Sequence, residues 1–556
     1  MWLINPGKFL IPEECTYLTL PLRSLVWQRN YPYRVVPPEL FCSREIKWMK
    51  RIGNIWERNL LTNETTGMRL INGYCWTLTL WVLFSCCEEK TNRSAKVLSG
   101  DYWKSQALND IIPNWTKFAQ DKESGTFYTT LDSLWQPTGD QNKYPSMISR
   151  HLFSYSVSYL LSGNEDYLVI ADSTVKWLLN QAWDKEFGGW FDSVDGKGNP
   201  VQTTKTTFVQ VYAITGLVMY YFVTHDKTVL RYIEKSNELL EQKVWDKVAG
   251  GYYNTMNRDW TILDSNKDFA SQMTPVSGYL LYLYQATKEK KYLDQTKRIL
   301  DVTTYNMTDN DSGWILESYD CNWRYLAGKA VESEINVGHN IEVAWMLLRS
   351  YLLTGDKDQL EAAKKISSKI ESSFVFNNHN IWLTSTSRYS INQGSRTYWW
   401  VQAYGNMFKQ YLYRIFKDDQ YIDAFQRGGE FWDSGFLDKR HGDTFYSVDS
   451  TGSNKDAHKA DRYKTSYHSM EQCLINYLSL SSWTNNEPTK LYFRINLSVE
   501  GELLFPVILE DESLKISKVV IENIDKTSLV NSSQSITLPA LCNSRIIIEI
   551  INPNKF

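Results

Sequence analysis

A short aromatic-glycine turn returns along the chain in six copies. Its copies are Ser124–Tyr128, Trp183–Phe191, Trp245–Tyr253, Asp311–Trp314, Asn377–Trp382 and Gly442–Tyr446, the fifth the most degenerate. The interval is roughly 60–66 residues, room for two helices and their loops. Between turns the apolar residues step by three and four, as in Phe208, Val211, Tyr212, Ile214 and Leu217, or Ile341, Trp345, Leu348 and Tyr351. Asp, Asn and Gly in the turns supply helix caps and positive φ angles. Six helical hairpins closed into a ring predict a mainly α chain, an (α/α)6 barrel over residues 101–484. An open solenoid is the alternative arrangement of the same units.

After about residue 485 the texture changes to short β-type runs: Leu491–Leu497, Leu503–Leu509, Val519–Ile521 and Ile546–Ile548. They predict a small antiparallel, sandwich-like β domain over residues 485–556. At the other end, residues 68–85 place a Met and an Arg before a short apolar run that leads into Cys86. This order resembles a bacterial lipoprotein signal peptide, with Cys86 as the lipidated residue. On that reading residues 1–67 precede the natural start, residues 86–100 form a tether, and the protein is exported to the periplasm or cell surface. Its membrane contact is then the lipid anchor alone. Cys87, Cys321, Cys473 and Cys542 are widely spaced, without a metal-ligand pattern, so no disulfide framework is expected.

Charge narrows the function. The net charge is −3, with both signs interspersed, so the basic stripe that a nucleic-acid partner requires is missing. The aromatic content is high, with 22 Trp and 35 Tyr. Most such rings pack cores, but Tyr and Trp also offer an apolar face beside a polar tip, which suits a sugar-binding cleft.

Three segments carry candidate chemistry. Gly338–Trp345 opens a helix on which His339 and Glu342 share a face, a pairing that can tune a proton-transfer group. Tyr398–Ala403 opens the next hairpin's helix with Trp399, Trp400 and Gln402, and Tyr404 follows. Lys464–His468 opens the last, and Arg150–His151 lies on the first. In a closed ring the N-terminal ends of inner helices point into one mouth, where His339, Trp399, Trp400 and His468 converge.

With these motifs, residues 100–480 resemble the N-acylglucosamine 2-epimerase superfamily, which includes cellobiose 2-epimerases and aldose–ketose isomerases. The resemblance implies that His339 and His468 act as general acid and base on a sugar. It implies that Arg150 contacts or polarises the substrate, and that neither metal nor organic cofactor is required. The chain departs from the pattern in three places. The segment Ser271–Gly278 lacks the histidines often found in the third hairpin, Tyr404 stands where an acid often follows the Trp-Trp motif, and Glu471 stands where an Arg often follows the late His.

The chemistry common to these residues is removal of a proton beside a carbonyl or carboxylate, for which a histidine is suited near neutral pH. One outcome is β-elimination, by a dehydratase or lyase, on oligosaccharides containing uronic acids in extracellular polysaccharide degradation. Tyr404 or Tyr467 would then protonate the leaving group, and Arg150, Arg388 or Arg462 would hold the carboxylate. The alternative is 2-epimerisation or aldose–ketose isomerisation of a mono- or disaccharide. The sequence places elimination first, because the grip on a reducing sugar is altered. Other expected substrate contacts are Trp399, Trp400, Gln402, Glu342, His151 and Lys464. Glycoside hydrolysis, with carboxylates drawn from Glu317, Asp320, Glu332 and Glu334, and non-catalytic sugar binding stand behind both.

Overall fold

The computed structural model describes residues 96–326, 334–389, 394–506 and 508–554. The expected signal peptide, Cys86 and residues 1–67 lie outside these described residues.

The six-hairpin expectation is met. Each unit runs from an outer helix, through the recurring turn, into an inner helix. The outer series is α1 and α2 (Gly100–Gln106, Ile112–Phe118), α4 (Glu165–Trp177), α6 (Lys227–Leu239), α9 (Lys290–Met307), α11 (Lys357–Ser372) and α13 (Asp419–Phe431). The inner series is α3 (Pro145–Ser162), α5 (Thr207–Thr224), α7 and α8 (Phe269–Pro275, Leu281–Thr287), α10 (Val337–Thr354), α12 (Trp399–Phe416) and α14 (Tyr467–Ser479). Every inner helix packs on the next, and α14 returns to pack on α3 and α1, which closes the ring. Inner helices are buried on all sides and outer ones on a single stripe. That is why α5 is apolar enough to pass for a membrane span while lying inside the barrel. The expected tether already belongs to the fold at its end: Val97 is buried and its carbonyl accepts a hydrogen bond from Trp103 Nε1.

Two buried devices repeat with the turns. In the first, an amide side chain at the fourth position of an inner helix bonds both backbone groups of the turn. Gln210 does so to Trp190 at 2.9 and 2.7 Å, Gln272 to Tyr252 at 2.8 and 2.8 Å, and Asn340 to Ile315 at 2.8 and 3.2 Å. In the second, a turn aspartate pairs with a buried lysine just ahead of the inner helix: Asp121–Lys143, Asp184–Lys205, Asp246–Lys267 and Asp438–Lys459, at 2.7–3.1 Å.

The C-terminal strands form two antiparallel sheets. The larger has the order β1 (Thr489–Leu497), β6 (Leu541–Ile551), β3 (Lys515–Ile521), β4 (Ile524–Asp525); the smaller pairs β2 (Gly501–Leu504) with β5 (Ser535–Leu538). The sheets floor the barrel at the C-terminal ends of its inner helices. Gly163, the left-handed cap of α3, lies so close to Tyr492 that an added Cβ would sit 2.4 Å from its ring. The run Leu503–Leu509 is a strand only to Leu504. Pro506 cannot donate to a ladder, and Phe505, Ile508 and Leu509 turn into the barrel base instead.

The floor carries one fully buried ion pair. Arg349 of α10 meets Glu510 at 2.9 and 2.7 Å, and the second Glu510 oxygen accepts from the Tyr411 hydroxyl at 2.6 Å. Removing one partner strands the other charge away from water. Glu510→Ala is therefore expected to lower stability by about 3–5 kcal/mol in chemical denaturation. A change under about 1 kcal/mol would contradict this role.

Candidate active site

At the N-terminal ends of the inner helices lies a cavity of about 310 Å³, a size suited to a small ligand. Every inner helix contributes to its lining, through Arg150, Tyr212, Thr274, Glu342, Tyr404 and His468 among others. Four of these stand two residues beyond the turn-holding position of the same helix, as Tyr212 does beyond Gln210 and Tyr404 beyond Gln402. Two residues rotate a helix by about 200°. An amide fixed to the turn on the outer side therefore aims the residue two places on into the lumen.

His339 enters from the first turn of α10. The Asn336 side chain caps that helix by accepting the His339 backbone N–H at 3.2 Å. Its ring is stacked on Phe269 at 4.0 Å, and Trp400 lies 5.5 Å away on another side. Gly338 makes room for that indole, since an added Cβ would lie 2.4 Å from the Trp400 ring. His339 Nδ1 meets Glu317 at 2.5 Å. Burial works to lower the His339 pKa, but the Glu317 carboxylate outweighs it, so the imidazole is held above its ordinary value.

His468, in the first turn of α14, has the opposite bias. Burial dominates and lowers its pKa; the carboxylate of Glu471 works against that and Arg150 reinforces it. The ring packs against Tyr404 at 5.2 Å and Trp399 at 6.0 Å. Arg150 is buried, and one of its nitrogens donates to the Tyr463 carbonyl at 2.6 Å. Its Nε and Nη2 have no protein partner, and the guanidinium lies 4.1 Å from the Tyr212 ring centre. Glu342 is buried among these groups and its carboxyl is pushed up, chiefly by burial. Burial likewise holds the Tyr404 phenol well above its ordinary pKa, so it stays a donor.

The structure thus brings together His339, His468, Arg150, Tyr404, Trp399, Trp400 and Glu342. Five other expected contacts stand elsewhere. Gln402 faces the turn: Oε1 accepts from Trp382 N at 3.0 Å, and Nε2 donates to the Asn380 and Gly428 carbonyls at 3.3 and 3.2 Å. His151 is buried against Phe127 and Trp115, and its pKa is lowered to about 3 by burial and by Arg150. Lys464 is buried in a pair with Asp443 at 2.7 Å. Arg388 is engaged by Asp309 through two contacts of 2.9 Å. Arg462 is exposed on the surface beside Tyr463 and Tyr144, outside the cavity lining.

Sequence reasoning missed Tyr212 and Thr274. Their signal was the constant 62-residue step from Arg150 to Tyr212 to Thr274, repeated from Glu342 to Tyr404. It treated Glu317 only as a hydrolytic carboxylate and did not pair it with His339, because a loop contact across the hairpin has no periodic signature. Among the described residues, no group of three or more His, Cys, Asp or Glu is arranged to hold a metal ion.

The closed ring of helices with two histidines in its mouth is an (α/α)6 barrel, and its relatives make it an enzyme of carbohydrate metabolism. The chain belongs to the N-acylglucosamine 2-epimerase family, whose model matches residues 117–472. It is 26% identical over 379 residues to a cellobiose 2-epimerase of Bacteroides fragilis, spanning 66% of this chain and 95% of the relative. A D-mannose isomerase of Marinomonas mediterranea is 22% identical, over 64% of this chain and 91% of its own length. Among solved structures, cellobiose 2-epimerase from Spirochaeta thermophila superposes with a TM-score of 0.63 at 23% identity, covering 69% of this chain and 96% of that one.

The placement of Gln402 gives a clear expectation. Gln402→Ala should cost about 1–3 kcal/mol of stability by unpairing buried backbone groups, while KM for a sugar substrate stays within about twofold of wild type. A large KM rise with unchanged stability would return Gln402 to the binding surface.

Proposed function

We propose that the protein is a sugar 2-epimerase or aldose–ketose isomerase acting on a mono- or disaccharide. The observation that carries this reading is the pair of histidines on one cavity with oppositely shifted pKa values. The family membership and the epimerase and isomerase relatives favour it over β-elimination.

In this reading the open-chain sugar lies with its carbonyl oxygen toward Arg150. His468, neutral at working pH, takes the proton from the carbon beside the carbonyl. Arg150, with unpartnered N–H groups, holds the negative charge that develops on oxygen. His339, kept protonated by Glu317, supplies the proton that completes the exchange. Return to the same carbon from the other face inverts it; return to the former carbonyl carbon, with the neighbouring hydroxyl proton passing to the former carbonyl oxygen, moves the carbonyl along the chain. Trp399 and Trp400 offer apolar faces to the CH groups of the sugar. A second cavity of about 660 Å³ shares Asn336, Thr384 and Tyr398 with the first, which gives a second ring room to lie.

Either His339→Ala or His468→Ala is expected to lower kcat by on the order of 10²–10⁴-fold, with thermal stability near wild type. Full turnover in either variant would sink the assignment. The pH profile of kcat/KM should be bell-shaped. Activity is lost below the His468 pKa, which lies under the ordinary histidine value, as the base becomes protonated. It is lost again above the raised His339 pKa, as the acid loses its proton. A profile with one limb only would contradict the division of roles.

A further inference from the structure

Beneath His468, the barrel axis holds buried polar groups that the chemistry above leaves unused. Glu471 lies one turn further along α14 and is fully buried. Its Oε1 accepts from the Tyr282 hydroxyl at 2.5 Å and from the Tyr467 hydroxyl at 3.3 Å. These two bonds hold the carboxylate in one orientation. Its Oε2 has no hydrogen-bond partner and faces His468 Nδ1, which also has none, at 3.8 Å.

Tyr282 is itself held from below. The Arg349 guanidinium lies 4.9 Å from its ring centre, and Arg349 is pinned by Glu510 of the floor. The other charged or titratable groups around the pair are Arg150 from α3, Tyr212 from α5, Glu342 from α10 and Tyr404 from α12. Arg150 bears on the imidazole, and Glu342 adds a second negative charge near Glu471.

We propose that Glu471 is a positioning residue for His468: its free oxygen accepts the Nδ1–H hydrogen bond, fixing that tautomer and leaving Nε2 as the lone-pair nitrogen at the cavity. A buried acceptor and a buried ring nitrogen, both otherwise unsatisfied, are costly apart and serve each other when joined. A shift of about 1 Å brings them within hydrogen-bond range. No proton leaves the imidazole through Glu471. Held in this way, the ring cannot turn its protonated nitrogen to the substrate. The inference rests on His468 being the group that takes the substrate proton.

The test reads the tautomer directly and the kinetics beside it. Nitrogen NMR of protein labelled with ¹⁵N-histidine, with the His468 signals identified by their loss in His468→Gln, should show Nδ1 protonated and Nε2 bare above the lower pH limb. In Glu471→Gln the tautomer should become mixed or reversed. In that variant kcat should fall about 10–100-fold with KM within about threefold. The lower limb of kcat/KM should move down by about one pH unit, because the charge that favours the imidazolium is gone. Glu471→Asp, which keeps the charge, should retain the tautomer with an intermediate kcat. A wild-type His468 protonated on Nε2 would overturn the proposal even if Glu471→Gln failed to fold. So would a Glu471→Gln variant with unchanged tautomer and pH limb. If His468→Gln kept full turnover while the wild-type tautomer was as stated, the proton-transfer reading would fail and the placement by Glu471 would stand.

Discussion

The hydrogen bonds between inner-helix amides and the turns ahead of them set the geometry on which the rest depends. Gln210, Gln272 and Asn340 each bind one turn residue through both its N–H and its carbonyl. Such a two-point contact fixes both the height and the rotation of a helix. Because the amide points outward, the residue two places on points inward. Four of the cavity's six side chains follow from that rule: Tyr212, Thr274, Glu342 and Tyr404. The buried Asp184–Lys205 and Asp246–Lys267 pairs anchor two of the same turns.

With the scaffold set this way, the helices can carry different chemistry at equivalent places. The position that holds Thr274 in one helix holds Tyr212, Glu342 or Tyr404 in others. The electrostatics then divide the two histidines. His339 has a carboxylate against one nitrogen and is pulled toward the cation. His468 is more enclosed, and its carboxylate stands further off, so burial prevails. The floor of β strands supports this arrangement from beneath, through the Arg349–Glu510 pair and buried Phe505, Ile508 and Leu509.

The barrel was legible because its turns repeat and its helices keep a 3.6-residue period. The convergence of His339, His468 and the two tryptophans was legible because N-terminal ends of inner helices share one mouth. What misled was sidedness. Gln402 sits in the same motif as Trp400 and Tyr404, yet two residues of helix turn it to the opposite face. Lys464 and Arg388, expected at the substrate, are instead engaged by Asp443 and Asp309, which lie far from them in sequence. The 21-residue spacing of Lys464 from Asp443, matching Lys205 from Asp184, was the available signal. Glu317 offered none, since its contact with His339 depends on how one loop folds over the mouth.

The central claim is that a carbon-bound proton beside a sugar carbonyl is removed and returned. Mass spectrometry of reactions run in D2O, on free aldoses and cellobiose-like disaccharides, tests it most directly. The account predicts an epimer or ketose that carries one deuterium on carbon and is otherwise unchanged in mass. Loss of water from an oligosaccharide ending in a uronic acid, or its cleavage to an unsaturated fragment, with no exchange into any free sugar, would contradict it and establish elimination instead.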